Sequence, residues 1–184
     1  MSNSESFKDK LNPLKDYKRN SEGKYVYKGI VYKCKLAKDE FNKLYKKYWL
    51  INVLMIVICL VNGFVPFEGM IYKLYVVIPF CIELICLLML LRSMVTFSDG
   101  KDTLTERQYK KSVENIGVYT IFMMIICVIA EVVGIIYVLN NGFNNDLLYY
   151  LIYCLIHLVL FGLAANLNHE VNKLEFEKID TSKD

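Results

Sequence analysis

Four long apolar runs, separated by polar segments, constrain this chain more than any other feature of its sequence. The runs cover about Tyr48–Val65, Met70–Val95, Ile116–Leu139 and Leu147–Leu167. An α-helix rises about 1.5 Å per residue, so a helix that crosses a hydrocarbon layer of about 30 Å needs about 20 residues. Each run approaches or exceeds that length. The sequence therefore predicts an all-α membrane protein, built as a bundle of four transmembrane helices.

The distribution of basic residues predicts how this bundle is oriented. Residues 1–47 carry 13 of the 22 Lys and Arg residues, the segment Arg92–Lys111 carries five, and residues 168–184 carry three. The two other connections, Pro66–Gly69 and Asn140–Asp146, carry none. Cytoplasmic loops of membrane proteins are enriched in Lys and Arg. We therefore expect a multi-pass protein of the cell membrane with both termini in the cytoplasm.

Three regions follow from these patterns. Residues 1–47 form a basic cytoplasmic N-terminal segment, residues 48–167 form the four-span domain, and residues 168–184 form a cytoplasmic tail. Heavy use of Lys, Asn, Ile and Tyr, with little Ala, is typical of an AT-rich bacterial genome. The expected location is therefore a bacterial cytoplasmic membrane.

Local patterns outside the spans predict further elements. The stretch Lys24–Lys35 is rich in β-branched and aromatic residues and is interrupted by Gly29, which predicts a small β-hairpin-like element. Thr103 and Glu106 are spaced as a capping box, which predicts a short helix that leads into the third span. The tail is predicted to extend the fourth span as a helix that frays into polar residues.

Three ionisable residues lie inside the apolar runs: Glu83, Glu131 and His157. Ionisable side chains are costly in a bilayer, so each is a functional candidate. Counting about 1.5 Å per residue places all three within roughly 5 Å of the midplane. We expect a polar layer there, which serves as a proton or ion path or as hydrogen-bonding glue between helices. Asn62 is expected at the outer surface, and Asn52 is expected to bond across to another helix.

A cysteine lies one helical turn from each of these ionisable residues. Cys86, Cys127 and Cys154 share helix faces with Glu83, Glu131 and His157 in that order. Carboxylates, an imidazole and thiols at one depth are ligands that suit a transition metal. The competing interpretation treats each cysteine as a small apolar side chain. We favour that interpretation and predict no resident metal or other cofactor.

Small residues and a proline predict where the helices pack closely or bend. Ala130 and Gly134 are spaced as a small-xxx-small pair, and Gly162 with Ala165 forms a second small face. Pro79 lies in the second span, where its ring removes a backbone donor and predicts a kink near Glu83.

The basic N-terminal segment suggests what the protein contacts. Its 13 basic residues face six acidic ones, which favours anionic lipid headgroups or an acidic protein partner in the cytoplasm or membrane. No nucleic-acid-binding motif accompanies this charge, so nucleic acid is not expected. The chain could also pair with copies of itself.

The patterns typical of catalysis are missing from the apolar runs, which contain no HExxH motif and no Ser/His arrangement. We therefore expect no enzyme. The favoured hypothesis is a non-catalytic accessory or interaction component. The alternative is a small oligomeric transporter or channel that moves protons or cations through Glu83, Glu131 and His157.

Overall fold

Long helices account for most of the chain. The computed structural model describes residues 17–19, 23, 25–99, 103–142 and 147–181. Most of the predicted connection Asn140–Asp146, together with residues 1–16 and 182–184, lies outside the described residues. The helices are α1 (Lys38–Asn62), α2 (Glu68–Tyr72), α3 (Leu74–Asp99), α4 (Glu106–Tyr109), α5 (Asn115–Asn141) and α6 (Leu147–Asn172).

Four of these helical segments are long and apolar enough to cross a membrane. They are α1, α3, α6 and a continuous 36-residue helix in which the π-helical segment Lys110–Glu114 joins α4 to α5. Their outward faces carry large exposed apolar side chains such as Leu50, Ile78, Val118 and Leu148. A helix that is apolar all round belongs in a membrane or deep inside a protein. The prediction of four helices long and apolar enough to cross a membrane is thus confirmed.

The spans close into a ring in chain order. The helix α5 packs most extensively, against both α3 and α6, and α1 completes the ring by contacting α3 and α6. Two hydrophobic clusters fill the interior. The first contains Met55, Leu87, Met123 and Leu160, and the second is centred on Phe67.

The helix α1 ends earlier than its apolar run. It stops at Asn62, and the chain then turns back so that Phe67 is fully buried in the second cluster. The Phe67 ring lies 5.0, 5.8 and 5.2 Å from the rings of Tyr137, Tyr150 and Tyr153. This connection therefore covers one end of the bundle interior.

The strands lie outside the spans. The stretch Lys24–Lys35 contains two strands as expected, but their pairing as a hairpin is corrected. Strands β1 (Tyr17–Arg19) and β2 (Tyr25–Tyr27) pair with each other. Strand β3 (Ile30–Cys34) does not pair with β2. It is the central strand of an antiparallel sheet, between β4 (Thr103–Thr105) and β5 (Phe176–Asp180). With partners on both edges, β3 satisfies more backbone groups than a two-stranded hairpin would.

The predicted helical tail is also corrected. Helix α6 continues only to Asn172, and the chain then forms β5, which pairs with β3 from Phe176↔Cys34 to Asp180↔Ile30. Aromatic packing favours the strand, because the Phe176 ring lies 5.1 Å from the ring of Tyr109. Tyr109 in turn stacks on Tyr32 at 4.1 Å.

The predicted capping box lies two residues later than expected. Thr103 is part of β4, and the helix is capped by Thr105, whose hydroxyl accepts a hydrogen bond from the backbone N–H of Gln108. The Gln108 side chain accepts a hydrogen bond from the Thr105 N–H at 3.0 Å. Pairing with β3 holds Thr103 extended, so the helix starts where the strand ends.

Candidate functional site

A polar layer crosses the bundle between the two hydrophobic clusters. All four spans contribute to it: Asn62 from α1, Glu83 from α3, Glu131 from α5 and His157 from α6. His157 is central, because its Nε2 lies 3.2 Å from Glu83 Oε1 and its Nδ1 lies 3.8 Å from Glu131 Oε1. The two glutamates selected from the sequence therefore both lie beside the imidazole of the third selected residue, His157.

One backbone contact defines the protonation of this imidazole. His157 Nδ1 lies 2.8 Å from the carbonyl oxygen of Tyr153, which can only accept a hydrogen bond. Nδ1 therefore carries a proton. The neutral imidazole then has its lone pair on Nε2, which faces Glu83. One proton placed on either Nε2 or Glu83 keeps this pair neutral overall.

The layer holds more hydrogen-bond acceptors than donors. Both oxygens of Glu83, Oδ1 of Asn62 and Oε1 of Glu131 are buried and lack a hydrogen bond among the described residues, so the only polar contact of Glu83 there is its ion-pair contact with His157. Glu83 and Asn62 are fully buried. An unpartnered buried carboxylate is costly, so this arrangement attracts a proton or another hydrogen-bond donor.

Glu131 differs from Glu83 because it reaches the outside of the bundle. Its side chain is 29% exposed. With His157 it lies at the base of a groove of about 530 Å³ between α5 and α6. The remaining walls are largely apolar and include Val128, Leu155 and Phe161. The layer is therefore sealed on the Glu83 side and open on the Glu131 side.

Asn62 is the member of the layer that sequence reasoning placed wrongly. It was expected at the outer surface, but it is fully buried and its Nδ2 lies 3.5 Å from His157 Nε2. The physical reason is the early end of α1 beneath Phe67. A signal was present in the sequence, since Cys59 precedes Asn62 by three residues, the same pairing seen at the three ionisable positions.

Asn52 is buried as expected for a residue that faces other helices, but it makes no bond across the bundle. Neither its Oδ1 nor its Nδ2 has a hydrogen-bond partner among the described residues, and the hydroxyl of Tyr48 one turn away also lacks one. The prediction of an interhelical hydrogen bond at Asn52 is therefore corrected.

The cysteines named as possible metal ligands are divided between the two hydrophobic clusters. Cys86 and Cys127 belong to the first cluster, and Cys154 packs against the second. Cys127 and Cys154 also line the groove that contains Glu131 and His157. Within the described part of the chain, no group of three or more His, Cys, Asp or Glu side chains is placed to hold a metal ion.

Some of the small residues predicted to pack closely do contact a neighbouring helix, and others do not. The carbonyl of Ala130 accepts a hydrogen bond from the Tyr153 hydroxyl at 3.2 Å, and a Cβ at Gly134 would lie 3.1 Å from the Tyr153 ring. Ala165 is half-buried. Gly162 is exposed with nothing within 4 Å of an added Cβ, so its expected close packing is corrected. Pro79 is buried inside α3.

The chain matches no known family model, no curated protein and no solved structure. Its class therefore follows from the fold itself. Its four long apolar helices suggest a multi-pass membrane protein, with a three-stranded sheet at one end and a buried polar layer.

Proposed function

We propose that this chain is a non-catalytic interaction component of a bacterial cytoplasmic membrane, and that its basic cytoplasmic end docks a protein partner. One observation carries the proposal. Strand β3 brings the N-terminal segment, the connection between the second and third spans, and the tail into one sheet at one end of the bundle. Separate polar segments thereby form a single structured surface.

Ion pairs as well as backbone pairing hold this end together. Lys35 donates a hydrogen bond to Glu175 at 2.9 Å, and Lys47 donates one to Glu170 at 3.1 Å. The first hydrogen bond raises the pKa of Lys35 and lowers the pKa of Glu175. These contacts tie α1 to the last turn of α6, and the residue after β3 to the residue before β5. The end of the bundle is thus organised enough to present a defined surface.

Other lysines at this end are available to a partner. Lys33, Lys43 and Lys46 are exposed, and their side chains have no ion pair or hydrogen bond among the described residues. A surface with free basic side chains complements an acidic surface and increases the rate at which the two associate. The polar layer in this proposal holds the spans together.

The orientation is tested with reporter fusions at Asn141 and at the C-terminus. We expect the reporter to be extracytoplasmic at Asn141 and cytoplasmic at the C-terminus, because the basic residues cluster at the sheet end. Paired fusions to alkaline phosphatase and to a green fluorescent protein measure this, since each is active on only one side. A fluorescent, phosphatase-negative fusion at Asn141 would overturn the orientation.

The docking surface is tested by reversing charge at either end of the bundle. In Lys43→Glu/Lys46→Glu, crosslinking of the full chain in membranes should recover at least tenfold less of its partner, because like charges now face each other. Lys73→Glu at the opposite end is the control and should leave recovery unchanged. Mass spectrometry of the crosslinked peptides should map an acidic segment against β3 or α1. Equal recovery from both variants would contradict the proposal.

A second candidate function is an oligomeric transporter or channel for protons or cations. The groove at Glu131 favours it, because a second copy could cover that groove and enclose a polar path. Hydrophobic clusters pack on both sides of the layer, so we rank this candidate second. The test is proton flux in vesicles. If the wild-type chain conducts protons and Glu83→Gln abolishes this flux while the protein stays folded, the transporter or channel becomes the first candidate.

A further inference from the structure

A pocket of about 290 Å³ lies between α3 and α5, at the end of the bundle that carries the sheet. Its lining includes two basic side chains, Arg92 and Lys111, and two neutral polar ones, Asn115 and Tyr119. No carboxylate lines it among the residues the structure describes. The pocket is therefore cationic, unlike the apolar groove at Glu131.

Neither cation has a counter-ion among the described residues. Arg92 and Lys111 are exposed, and the side chain of neither has an ion pair or a hydrogen bond within the described part of the chain. The neighbouring lysine, Lys110, is neutralised by Glu106 at 2.7 Å. Two like charges around one cavity repel each other unless an anion lies between them.

The uncharged groups of the pocket match the same ligand chemistry. The hydroxyls of Ser93 and Thr96 donate to the carbonyls of Met89 and Arg92, so both are already used. The side chains of Asn115 and Tyr119 have no hydrogen-bond partner among the described residues, so both remain free to donate. Guanidinium, ammonium, amide and hydroxyl donors around one space suit the oxygens of a phosphate.

The depth of the pocket indicates where such a phosphate would come from. Arg92 follows Glu83 by nine residues, which places it roughly 13 Å from the polar layer along the helix. The inner boundary of the hydrocarbon layer lies about 15 Å from its midplane. Lipid headgroups begin at that depth, and basic pockets between transmembrane helices recognise anionic headgroups.

We propose that this pocket binds the phosphate headgroup of an anionic lipid, with Arg92 and Lys111 as the paired cations. The lipid chains lie along the outer apolar surface of α3 and α5. The site is separate from the basic face of α1, and it does not depend on the docking of a protein partner.

Native mass spectrometry of the full chain with phosphatidylglycerol or phosphatidylcholine tests the proposal. We expect one phosphatidylglycerol to be retained per chain, at least tenfold more tightly than phosphatidylcholine. Arg92→Gln/Lys111→Gln should weaken phosphatidylglycerol binding about thirtyfold, since each basic residue near the membrane surface contributes about fivefold. Arg92→Lys keeps the charge and should lose much less of the phosphatidylglycerol binding. This variant therefore separates the loss of a phosphate contact from a failure to fold.

Lys43→Gln/Lys46→Gln is the matched control, because it removes the same charge from the basic face of α1. It should retain phosphatidylglycerol at the wild-type level. Equal loss in both double variants would mean diffuse surface attraction and would overturn the site. Equally tight binding of inorganic phosphate alone would assign the pocket to a free anion and would overturn the lipid proposal.

Discussion

Replacing His157 by leucine is expected to lower the free energy of unfolding by about 3–5 kcal/mol, the cost of removing one partner from a buried ion pair. His157 is the only described side chain within ion-pair distance of Glu83, at 3.2 Å. Without it, a fully buried carboxyl group has neither an ion pair nor a hydrogen bond among the described residues. Unfolding by sodium dodecyl sulfate in mixed micelles measures the effect.

The chain provides a matched control for this variant. His169 is its only other histidine and is exposed on the same helix, so His169→Leu should change stability little. The double variant Glu83→Leu/His157→Leu removes both partners and should recover most of the loss, because it leaves no fully buried carboxyl group without its ion-pair partner. A double variant as unstable as His157→Leu alone would show that the loss comes from packing.

Replacing Phe67 by alanine is expected to cost about 3–5 kcal/mol, as for other fully buried aromatic residues. Phe67 is 0% exposed and lies against three tyrosine rings in the second cluster. Its removal leaves a cavity over the end of α1, close to Asn62 and His157. The same unfolding titration measures the loss.

Phe64 is the natural control, because it lies in the same connection but is 85% exposed. Phe64→Ala should therefore leave the free energy of unfolding nearly unchanged. If both variants lose stability equally, the connection does not cover the bundle through Phe67. If neither does, the second cluster contributes little to the fold.

The polar layer was partly predictable, and the reason is the cost of burying charge. Glu83, Glu131 and His157 stand out in the sequence because ionisable groups are rare in apolar runs. Asn62 did not, since an amide near the end of a run normally lies at the surface. Its burial depends on the early end of α1 and on Phe67, which contacts residues from distant helices.

The roles within the layer were not predictable from periodicity. Cys86, Cys127 and Cys154 share helix faces with the ionisable residues, yet the described residues form no metal-binding group, and all three cysteines also pack in or against the hydrophobic clusters. Helical periodicity predicts which side of the helix a residue lies on. It does not predict which residues of the neighbouring helices lie beside it at that position along the helix axis. Gly162 is a second example. It was expected to allow close helix packing, but nothing lies within 4 Å of a Cβ added at this position on α6.

The four long apolar helices and the polar groups within them were predictable from the sequence, because hydrophobic length and charge are local properties of the chain. How these parts meet depends on tertiary packing. The sheet joins Ile30–Cys34, Thr103–Thr105 and Phe176–Asp180, strands far apart in sequence whose pairing no local pattern encodes. Likewise, His157 meets Glu83 on one side and Glu131 on the other because the helices close into a ring. Such contacts arise from packing between elements, which is why their residues could be named from the sequence but their partners could not.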